Sequence, residues 1–325
     1  MRPATYTAAH DAYAADTCVP LERAVECGEL QMSALARGTY PGTRLRALPG
    51  VRTVGFWDAA RPQSWGLDWH RNEGIELTWL ESGTLAFATD TLTTTLKPGD
   101  LTITRPWQRH RVGAPDVTPG RLHWLILDVG VRRPDQAWRW PAWLKPTAGE
   151  LTRLTELLRH NEHPVWPGDG AVADAFTRLG EAVLAERTRW VADPQAELLL
   201  AVAELLERRV PPLDASLSSA ERTVALFLEE LGHRVGEPWT LDALAAECGL
   251  KRTRFTHYCE RITNMTPSEY LTAARVDRAA HLLTHTDASI TAIAHATGFS
   301  SSQYFATVFR RVRGCSPSEY RAASG

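Results

Sequence analysis

Two short stretches near the C-terminal end of the sequence concentrate basic side chains. The first stretch has four basic residues and one acid: Lys251, Arg252, Arg254 and Arg261, with Glu260. The second stretch has three basic residues and no acid: Arg310, Arg311 and Arg313. Guanidinium and ammonium groups at this density suit contacts with nucleic-acid phosphates. A solvated helix face carries the same kind of charge, so the elements that hold these residues have to decide between the two interpretations.

Both stretches lie within an internal repeat. Residues 241–250 align with residues 290–299 at an offset of 49. Each copy has apolar residues at helical spacing and ends at a glycine, Gly249 or Gly298, which is typical of a short helix closed by a left-handed residue. A second helix follows each glycine, and this arrangement is the helix-turn-helix pattern. We expect the second helices to bury Phe255 and Ile262 in the first copy and Phe305 and Phe309 in the second copy.

A Ser/Thr-Pro-Ser-Glu block follows each second helix, at residues 266–269 and 316–319. This block is a capping box with proline at the first helical position, so it predicts the start of a new helix. Two tandem copies with matching caps are stronger evidence than one copy. The basic stretches coincide with both second helices, which favours DNA contact over an ordinary solvated face.

The composition limits the other possibilities. The chain has 325 residues, of which 44% are hydrophobic, and at about 150 residues per domain this length predicts two domains with real cores. The formal net charge of −2 means that any basic surface has to be local. Five cysteines without a C-x-x-C pair predict reduced thiols. No apolar run reaches the roughly 18 residues of a membrane helix, and the first residues lack a signal-peptide core, so we expect a cytoplasmic protein.

Enzyme motifs with a known mechanism are missing from the sequence. It contains no G-x-S-x-G, no G-x-x-x-x-G-K and no H-E-x-x-H, so serine, cysteine and phosphate-loop chemistries find no support. We therefore expect no enzymatic activity and no cofactor.

The second repeat reads GFSSSQYFATVF at residues 298–309 and PSEYR at residues 317–321. With these motifs, residues 219–325 resemble the DNA-binding domain of the AraC/XylS transcription regulators. The resemblance implies two helix-turn-helix units joined by a long helix, here residues 268–284, whose recognition helices enter successive major grooves. It also implies contacts with DNA base edges from residues of both second helices: Arg252, Thr253, Thr256, His257, Ser301, Ser302, Gln303 and Thr307. The basic stretches add Lys251 and Arg310 as expected phosphate contacts.

Three positions depart from the family pattern. Lys251 stands where a small hydroxyl residue is usual, and it offers no oxygen to cap the helix. Cys259 takes the place of an aromatic residue and is a smaller core filler. Thr307 stands where arginine is common, so the second recognition helix should read its bases less strongly, whereas Gln303 can make the bidentate contact that adenine favours.

The region from residue 51 to residue 131 has the short apolar and β-branched runs of an antiparallel barrel or jelly roll. Runs at residues 76–80, 84–88, 101–104 and 122–127 are separated by Gly and Pro turns. Leucines at helical spacing then predict three helices between residues 147 and 209. The prolines after Arg209 predict a linker, because consecutive prolines cannot continue a helix.

This β region contains the blocks HRNEGIELTWLESG at residues 70–83, LKPGD at residues 96–100 and PWQRH at residues 106–110. With them it resembles the cupin-like ligand-binding domain that often precedes an AraC-type domain. Metal-binding cupins use two histidines spaced H-x-H, a glutamate and a distant histidine, for which this sequence offers His70, Glu76 and His110. Asn72 replaces the second histidine, and an amide is a poor ligand for soft transition metals, so we expect an organic effector and no metal. The alternative is that both histidines are structural.

The barrel region is also rich in tryptophan, and an indole beside hydrogen-bonding groups suits a sugar ring or a planar ligand. Tryptophan in a barrel is more often part of the core. We predict a small polar effector, such as a carbohydrate, held by a set of polar and aromatic residues: Trp57, Trp69, His70, Asn72, Glu76, Trp79, Arg105, Trp107 and His110.

The last connector helix carries a broad apolar stripe, formed by Leu198, Leu199, Val202, Leu205 and Leu206. A stripe of this width predicts a homodimer seam, and packing against the barrel is the alternative.

These observations predict an α+β protein with three parts. They are a cupin-like effector-binding domain with an N-terminal extension (residues 1–145), a helical connector that dimerises (146–212) and an AraC-type double helix-turn-helix domain (219–325). The predicted function is a DNA-binding transcription regulator that a small effector controls. The alternatives are a metal-dependent cupin enzyme with an appended DNA-binding domain and a constitutive architectural DNA binder.

Overall fold

The computed structural model describes residues 4–8, 11–15, 19–38, 40–63, 65–131, 133–185, 191–209 and 212–324. The chain divides into two units, Met1–Ser218 and Ser219–Gly325. The first unit contains all the described strands and four helices, and the second is built from helices. The α+β class and the order of barrel, helices and helix-turn-helix domain are confirmed. No helix among the residues described is both long and apolar enough to cross a membrane.

The strands of the first unit are β1 Ala4–Ala8, β2 Asp11–Ala15, β3 Leu30–Ala36, β4 Thr43–Arg44, β5 Val51–Ala59, β6 Leu67–His70, β7 Ile75–Ser82, β8 Leu85–Thr89, β9 Thr93–Leu96, β10 Asp100–Thr104, β11 His110–Val117, β12 Gly120–Leu127 and β13 Val165–Pro167. A seven-stranded sheet has the order β13-β10-β7-β12-β5-β3-β4, and a four-stranded sheet has the order β6-β11-β8-β9. Strands β1 and β2 form a separate hairpin. The four strands predicted in the barrel region are therefore confirmed as β7, β8, β10 and β12.

Side chains alternate between the two faces of the large sheet, as the period of two requires. On β7, Ile75, Leu77 and Trp79 share a core with the helices, whereas Leu80 shares a core with Phe87 of the small sheet. The large sheet thus packs on the small sheet through one face and on helices through the other face. The space between the two sheets is the barrel interior.

The helices of the first unit are α1 Val19–Glu26, α2 Ala148–His160, α3 Gly170–Leu184 and α4 Ala192–Arg209, followed by a 3-10 turn at Ala215–Ser218. The three helices predicted between residues 147 and 209 are confirmed as α2, α3 and α4. Thr147 begins α2 with a capping box to Glu150, and the Asp169 side chain accepts from the Val172 amide to begin α3. Residues 210 and 211 of the predicted linker lie outside the described residues.

The predicted dimer seam on α4 is wrong. Its five apolar residues are at most 2% exposed in the single chain, and they belong to the core that α2, α3 and α4 form on the large sheet: Leu198, Leu199, Val202, Leu205 and Leu206. The width of the stripe reflects a helix covered by its own unit on several sides. A homodimer itself stays a prediction.

The second unit has seven helices: α5 Ala220–Leu231, α6 Leu241–Glu247, α7 Arg252–Thr263, α8 Pro267–His285, α9 Ile290–Ala296, α10 Ser302–Arg313 and α11 Pro317–Ser324. The long helix α8 serves two small cores. Leu271 packs in the core of the first repeat, and Val276 packs in the core of the second repeat. The predicted capping box at Thr266 is present, and the Ser316 block makes both matching bonds with Glu319.

The inward side chains of α7 differ from the prediction at one position. Phe255 is buried as predicted, but Ile262 is 38% exposed, and Cys259 is the second buried residue of the helix. On α10, Phe305 and Phe309 are both buried as predicted. Ile262 lies in the last turn of α7, beyond the part of the helix that faces its core.

Candidate nucleic-acid interface and candidate effector site

Each repeat forms a helix-turn-helix in which glycine makes the corner. Gly249 after α6 and Gly298 after α9 have φ values of 64° and 82°, a region that residues with a side chain rarely adopt. On α7 and at its start, Lys251, Arg252 and Thr253 are exposed. His257 is also exposed one turn later, and Thr256 is half-buried.

Most of the basic side chains on α7 have partners within the second unit. Arg252 forms a bidentate salt bridge with Asp242 of α6. Arg261 pairs with Glu221 of α5, and the Arg254 guanidinium donates to the Tyr258 hydroxyl at 3.2 Å. Lys251 is the N-cap residue of α7 and makes no side-chain cap bond, as the sequence predicts.

Helix α10 presents a different set of contacts. The Ser301 hydroxyl accepts from the Tyr304 amide and caps the helix. Ser302 is half-buried, whereas Gln303 and Thr307 are exposed one turn apart. Arg310 and Arg311 are exposed.

Within the described part of the chain, neither Arg310 nor Arg311 has a salt-bridge partner, and Arg313 pairs with Asp277 at 2.6 Å. Tyr304 is 54% exposed beside Gln303, and sequence reasoning missed it because an aromatic residue at this spacing reads as core.

Buried polar side chains from both sheets meet inside the barrel. Nε2 of His110 on β11 lies 2.7 Å from Oε2 of Glu76 on β7, and the Asn72 side-chain amide donates to the same oxygen at 2.6 Å. The rings of His70 and His110 are 4.2 Å apart. All four side chains are buried, and we call them the polar cluster.

Backbone carbonyls fix the tautomers of both histidines. Nδ1 of His70 lies 2.6 Å from the Asp68 carbonyl oxygen, and Nδ1 of His110 lies 2.9 Å from the Gln108 carbonyl oxygen. A carbonyl only accepts, so Nδ1 carries the proton in each ring. Nε2 of each ring is therefore left to face the cluster.

Burial and charge shift the pKa values in opposite directions within the cluster. Burial lowers the pKa of His70 to about 4, so this ring is neutral at pH 7. Burial would also disfavour the charged forms of Glu76 and His110, but their mutual attraction outweighs it. The pKa of Glu76 is lowered and that of His110 is raised. These directions favour a buried ion pair between Glu76 and His110.

Hydroxyl groups extend this polar surface along the barrel interior. The Thr78 and Thr102 hydroxyls bond to each other, next to Glu76 in the sheet. The Trp124 indole donates to the Thr53 hydroxyl at 3.0 Å. Sequence reasoning did not include these residues, although Thr78 follows Glu76 at a spacing of two and so lies on the same face.

Comparisons with known proteins agree with both parts of this geometry. Residues 244–323 match a helix-turn-helix domain family, and residues 60–126 match a cupin domain family. The transcriptional activator RhaS of Escherichia coli O1:K1 is 28% identical over 176 residues, which is 53% of this chain and 63% of RhaS. RhaS of strain SE11 is 34% identical over 117 residues, 36% of this chain and 42% of RhaS. The chain thus matches less than two thirds of the length of these relatives.

This chain carries an AraC-type helix-turn-helix domain and a cupin domain.

Solved structures are also similar to this chain, two of them over different shares of its length. The DNA-binding domain of AdpA, in complex with a target DNA, is 31% identical with a TM-score of 0.30. The match covers 31% of this chain and 90% of the AdpA chain. Fatty-acid-bound ToxT from Vibrio cholerae is 15% identical with a TM-score of 0.40, and it covers 85% of this chain and 97% of its own.

The cupin domain brings only part of the predicted effector set together. The proximity of His70, Glu76 and His110, with Asn72 beside them, is confirmed. Trp57 lies in the core between the sheets, where it packs near Trp65.

The other predicted aromatic residues lie away from the polar cluster. Trp79 stacks on Phe176 of α3 on the opposite face of the large sheet. The Trp107 indole donates to the Val131 carbonyl at 3.1 Å. The Arg109 guanidinium lies 4.4 Å above the ring of Trp69.

Arg105 is also turned away from the cluster, because it forms a salt bridge with Glu162 after α2. The reason for these differences is strand alternation: Trp79 is three residues from Glu76, and Arg105 directly follows Thr104, which faces inward.

Proposed function

We propose that this protein is a DNA-binding transcription regulator whose AraC-type domain contacts duplex DNA through α7 and α10. The observation that supports this proposal most directly is the exposed surface of α10. It combines a residue suited to adenine, Gln303, with two arginines that have no salt-bridge partner in the described chain, Arg310 and Arg311. Base contacts supply sequence preference, and phosphate contacts supply affinity and position.

Selection from a random duplex library with the full chain tests this function. The wild-type protein should enrich one motif, and Gln303→Ala should lose the preference at one base position, which corresponds to about 1–3 kcal/mol. Ser268→Ala, an exposed substitution on α8, is the matched control and should select the wild-type motif. Binding that neither selects a motif nor weakens with salt would contradict the proposal.

We propose further that the cupin domain binds a small polar effector at the polar cluster. Glu76, His110 and Asn72 are buried, and the hydroxyls of Thr78 and Thr102 continue the polar surface. A polyhydroxylated molecule such as a sugar offers donors and acceptors to all of these groups. These groups bond to one another, and a purely apolar ligand would leave their remaining donor and acceptor positions without partners, at a cost of about 1–3 kcal/mol for each position so buried.

A thermal-shift screen of monosaccharides with the purified chain tests the effector site. A ligand that binds only the folded state raises the melting temperature. We expect such a ligand to lose its effect in Glu76→Gln and to keep it in Glu156→Gln, a substitution of an exposed glutamate on α2. An unchanged shift in Glu76→Gln would place the effector elsewhere.

The same cluster supports a second candidate, a divalent metal ion in the cupin domain. The ligand atoms of His70, Glu76 and His110 lie within 4.8 Å of one another, and both histidines bind backbone carbonyls through Nδ1, as metal-ligating histidines commonly do. A neutral His110 would direct a lone pair at the Glu76 carboxylate, so this arrangement needs either a second proton on the ring or a cation. A bound metal would supply a Lewis acid for an effector oxygen, and Asn72 would orient Glu76.

Elemental analysis of the purified chain separates the two candidates. One equivalent of Zn, Fe, Ni or Mn that His110→Ala removes would favour the metal, and metal-free protein that binds the effector would favour the ion pair. Turnover of a substrate in the metal-bound protein would instead favour a cupin enzyme with an appended DNA-binding domain.

A further inference from the structure

The turn at residues 105–108 holds two members of the polar cluster by its backbone. The Trp107 amide donates to the Asn72 carbonyl at 2.9 Å, and the His110 ring donates from Nδ1 to the Gln108 carbonyl at 2.9 Å. A displacement of the Asn72 backbone or of the His110 ring would therefore displace the turn.

The third member, Glu76, reaches the turn through the sheet. Glu76 pairs with Thr104 in the ladder between β7 and β10, and Thr104 is the residue before the turn. The Thr104 hydroxyl also donates to the Glu76 carbonyl at 3.5 Å. Trp107 has a φ of 67°, a conformation that costs a bulky residue free energy and persists only where its surroundings hold it. The turn is thus both strained and tied to the cluster.

The guanidinium of Arg105 extends from this turn to the other side of the large sheet. It forms a salt bridge with Glu162, in the segment between α2 and β13, and the Arg105 side chain is only 5% exposed. The same segment is hydrogen-bonded to β10, because the Ile103 amide donates to the Pro164 carbonyl at 2.8 Å. Arg105 therefore joins the turn to residues 160–164.

Those residues carry the end of the first unit, residues 212–218, which we call the linker. The Asp214 amide donates to the His160 carbonyl at 2.8 Å, and Leu213 forms a β-bridge with Asn161. The His160 ring lies 3.0 Å from the Ser218 hydroxyl through Nε2. The second unit begins at the next residue.

Arg105 also acts on the linker through its charge. Hydrogen bonds from Ser216 hold the pKa of Asp214 below its usual range, and the positive charge of Arg105 lowers it further. The guanidinium is therefore near enough to both Glu162 and Asp214 for its position to matter to each of them.

We propose that Arg105 is the positioning residue that couples the polar cluster to the linker. In this proposal a change at Glu76 or His110 shifts the turn, the turn shifts Arg105, and the hold of residues 160–164 on the linker changes. The coupling rests on the proposed role of the cluster as the effector site. It assigns Arg105 to signal transmission and not to effector contact.

Amide hydrogen exchange of the full chain tests the coupling without an effector or DNA, so its outcome is independent of the tests of the proposed function. The probe is the Asp214 amide, whose exchange reports the opening of the linker. Arg105→Met and Glu162→Gln should each raise its exchange rate about tenfold, which is about 1.4 kcal/mol. Arg109→Met is the matched control, because this exposed arginine follows the same turn but contacts Asp90 and the ring of Trp69 instead of residues 160–164.

The decisive measurement is a double-mutant cycle. Glu76→Gln should raise the exchange rate of the Asp214 amide in the wild-type background and add nothing in the Arg105→Met background. Slow exchange of β12 amides checks that each variant is folded. If Arg105→Met fails that check, Glu162→Gln takes its place in the cycle. Wild-type exchange in Glu162→Gln, or a Glu76→Gln effect that persists in the second background, would overturn the proposal.

Discussion

The two helix-turn-helix repeats, α6 with α7 and α9 with α10, share one sequence pattern. They nevertheless hold different residues at matching positions. At an offset of 50, Cys259 corresponds to Phe309 and Lys251 corresponds to Ser301. At these positions the second repeat has a buried aromatic ring and a capped recognition helix. The first repeat has a buried thiol and a recognition helix that begins without a cap bond.

Their charges differ as well. On the recognition helix of the first repeat, Arg252 pairs with Asp242 and Arg261 pairs with Glu221. The exposed Arg310 of the second repeat has no salt-bridge partner within the described chain. An arginine that already holds a carboxylate must release it to reach a phosphate. We infer from these differences that the second repeat supplies more of the phosphate contact and that the first repeat is the less stable of the two.

The largest expected effect concerns the cores. Phe309→Ala should destabilise α10 by about 3–5 kcal/mol, whereas Cys259→Ala should destabilise α7 by about 1 kcal/mol, because the truncation leaves a cavity that scales with the volume removed. Hydrogen exchange of the amides in each helix measures both changes in the same chain. Equal losses in the two helices would contradict the proposed difference in core strength.

The repeat made these positions predictable, and the exception shows where sequence reasoning stops. Helical spacing identified Phe255, Phe305 and Phe309 as core residues. Ile262 fits the same spacing but is exposed, because periodicity defines a face and not how far along the helix that face is covered. Its counterpart at the offset of 50, Val312, is also exposed.

The candidate effector site was predictable to a similar degree. Glu76 and His110 met as predicted because strand alternation and the turn residues fix which face each strand presents. The same alternation places Arg105 and Trp79 on the opposite face, where each meets a partner from a segment more than fifty residues away, Glu162 and Phe176. The acid that pairs with a given arginine depends on tertiary packing, which a single sequence does not show.

The next expected effect concerns DNA affinity. Arg310→Ala should weaken binding to all duplexes and reduce the slope of log K against log salt by about 1, as expected for one lost phosphate contact. Arg252→Ala should change the slope less, because its guanidinium is engaged by Asp242. Titrations of one duplex at several salt concentrations measure both slopes.

A reciprocal variant sharpens the same comparison. Asp242→Asn removes the competing carboxylate and leaves Arg252 available. It should therefore tighten DNA binding and steepen the slope of log K against log salt. Asp287→Asn is the control and should leave the slope unchanged. Asp287 is an exposed acid between α8 and α9 that takes part in none of the described salt bridges. If Asp242→Asn binds DNA as the wild type does, the salt bridge does not restrain Arg252.

The smallest expected effect concerns the helix starts. Ser301→Ala removes the hydroxyl that accepts from the Tyr304 amide and should cost α10 about 1 kcal/mol, the usual value of an N-cap. Lys251→Ser places a capping oxygen where α7 has none, so it should stabilise α7 by up to about 1 kcal/mol. The two substitutions therefore shift the first-turn amides in opposite directions, with slower exchange in α7 and faster exchange in α10. Lys251→Ala separates this cap from the loss of a positive charge, since it removes the charge without supplying an oxygen. If Lys251→Ser and Lys251→Ala slow the exchange of the first-turn amides of α7 equally, the missing cap is not what destabilises the first repeat.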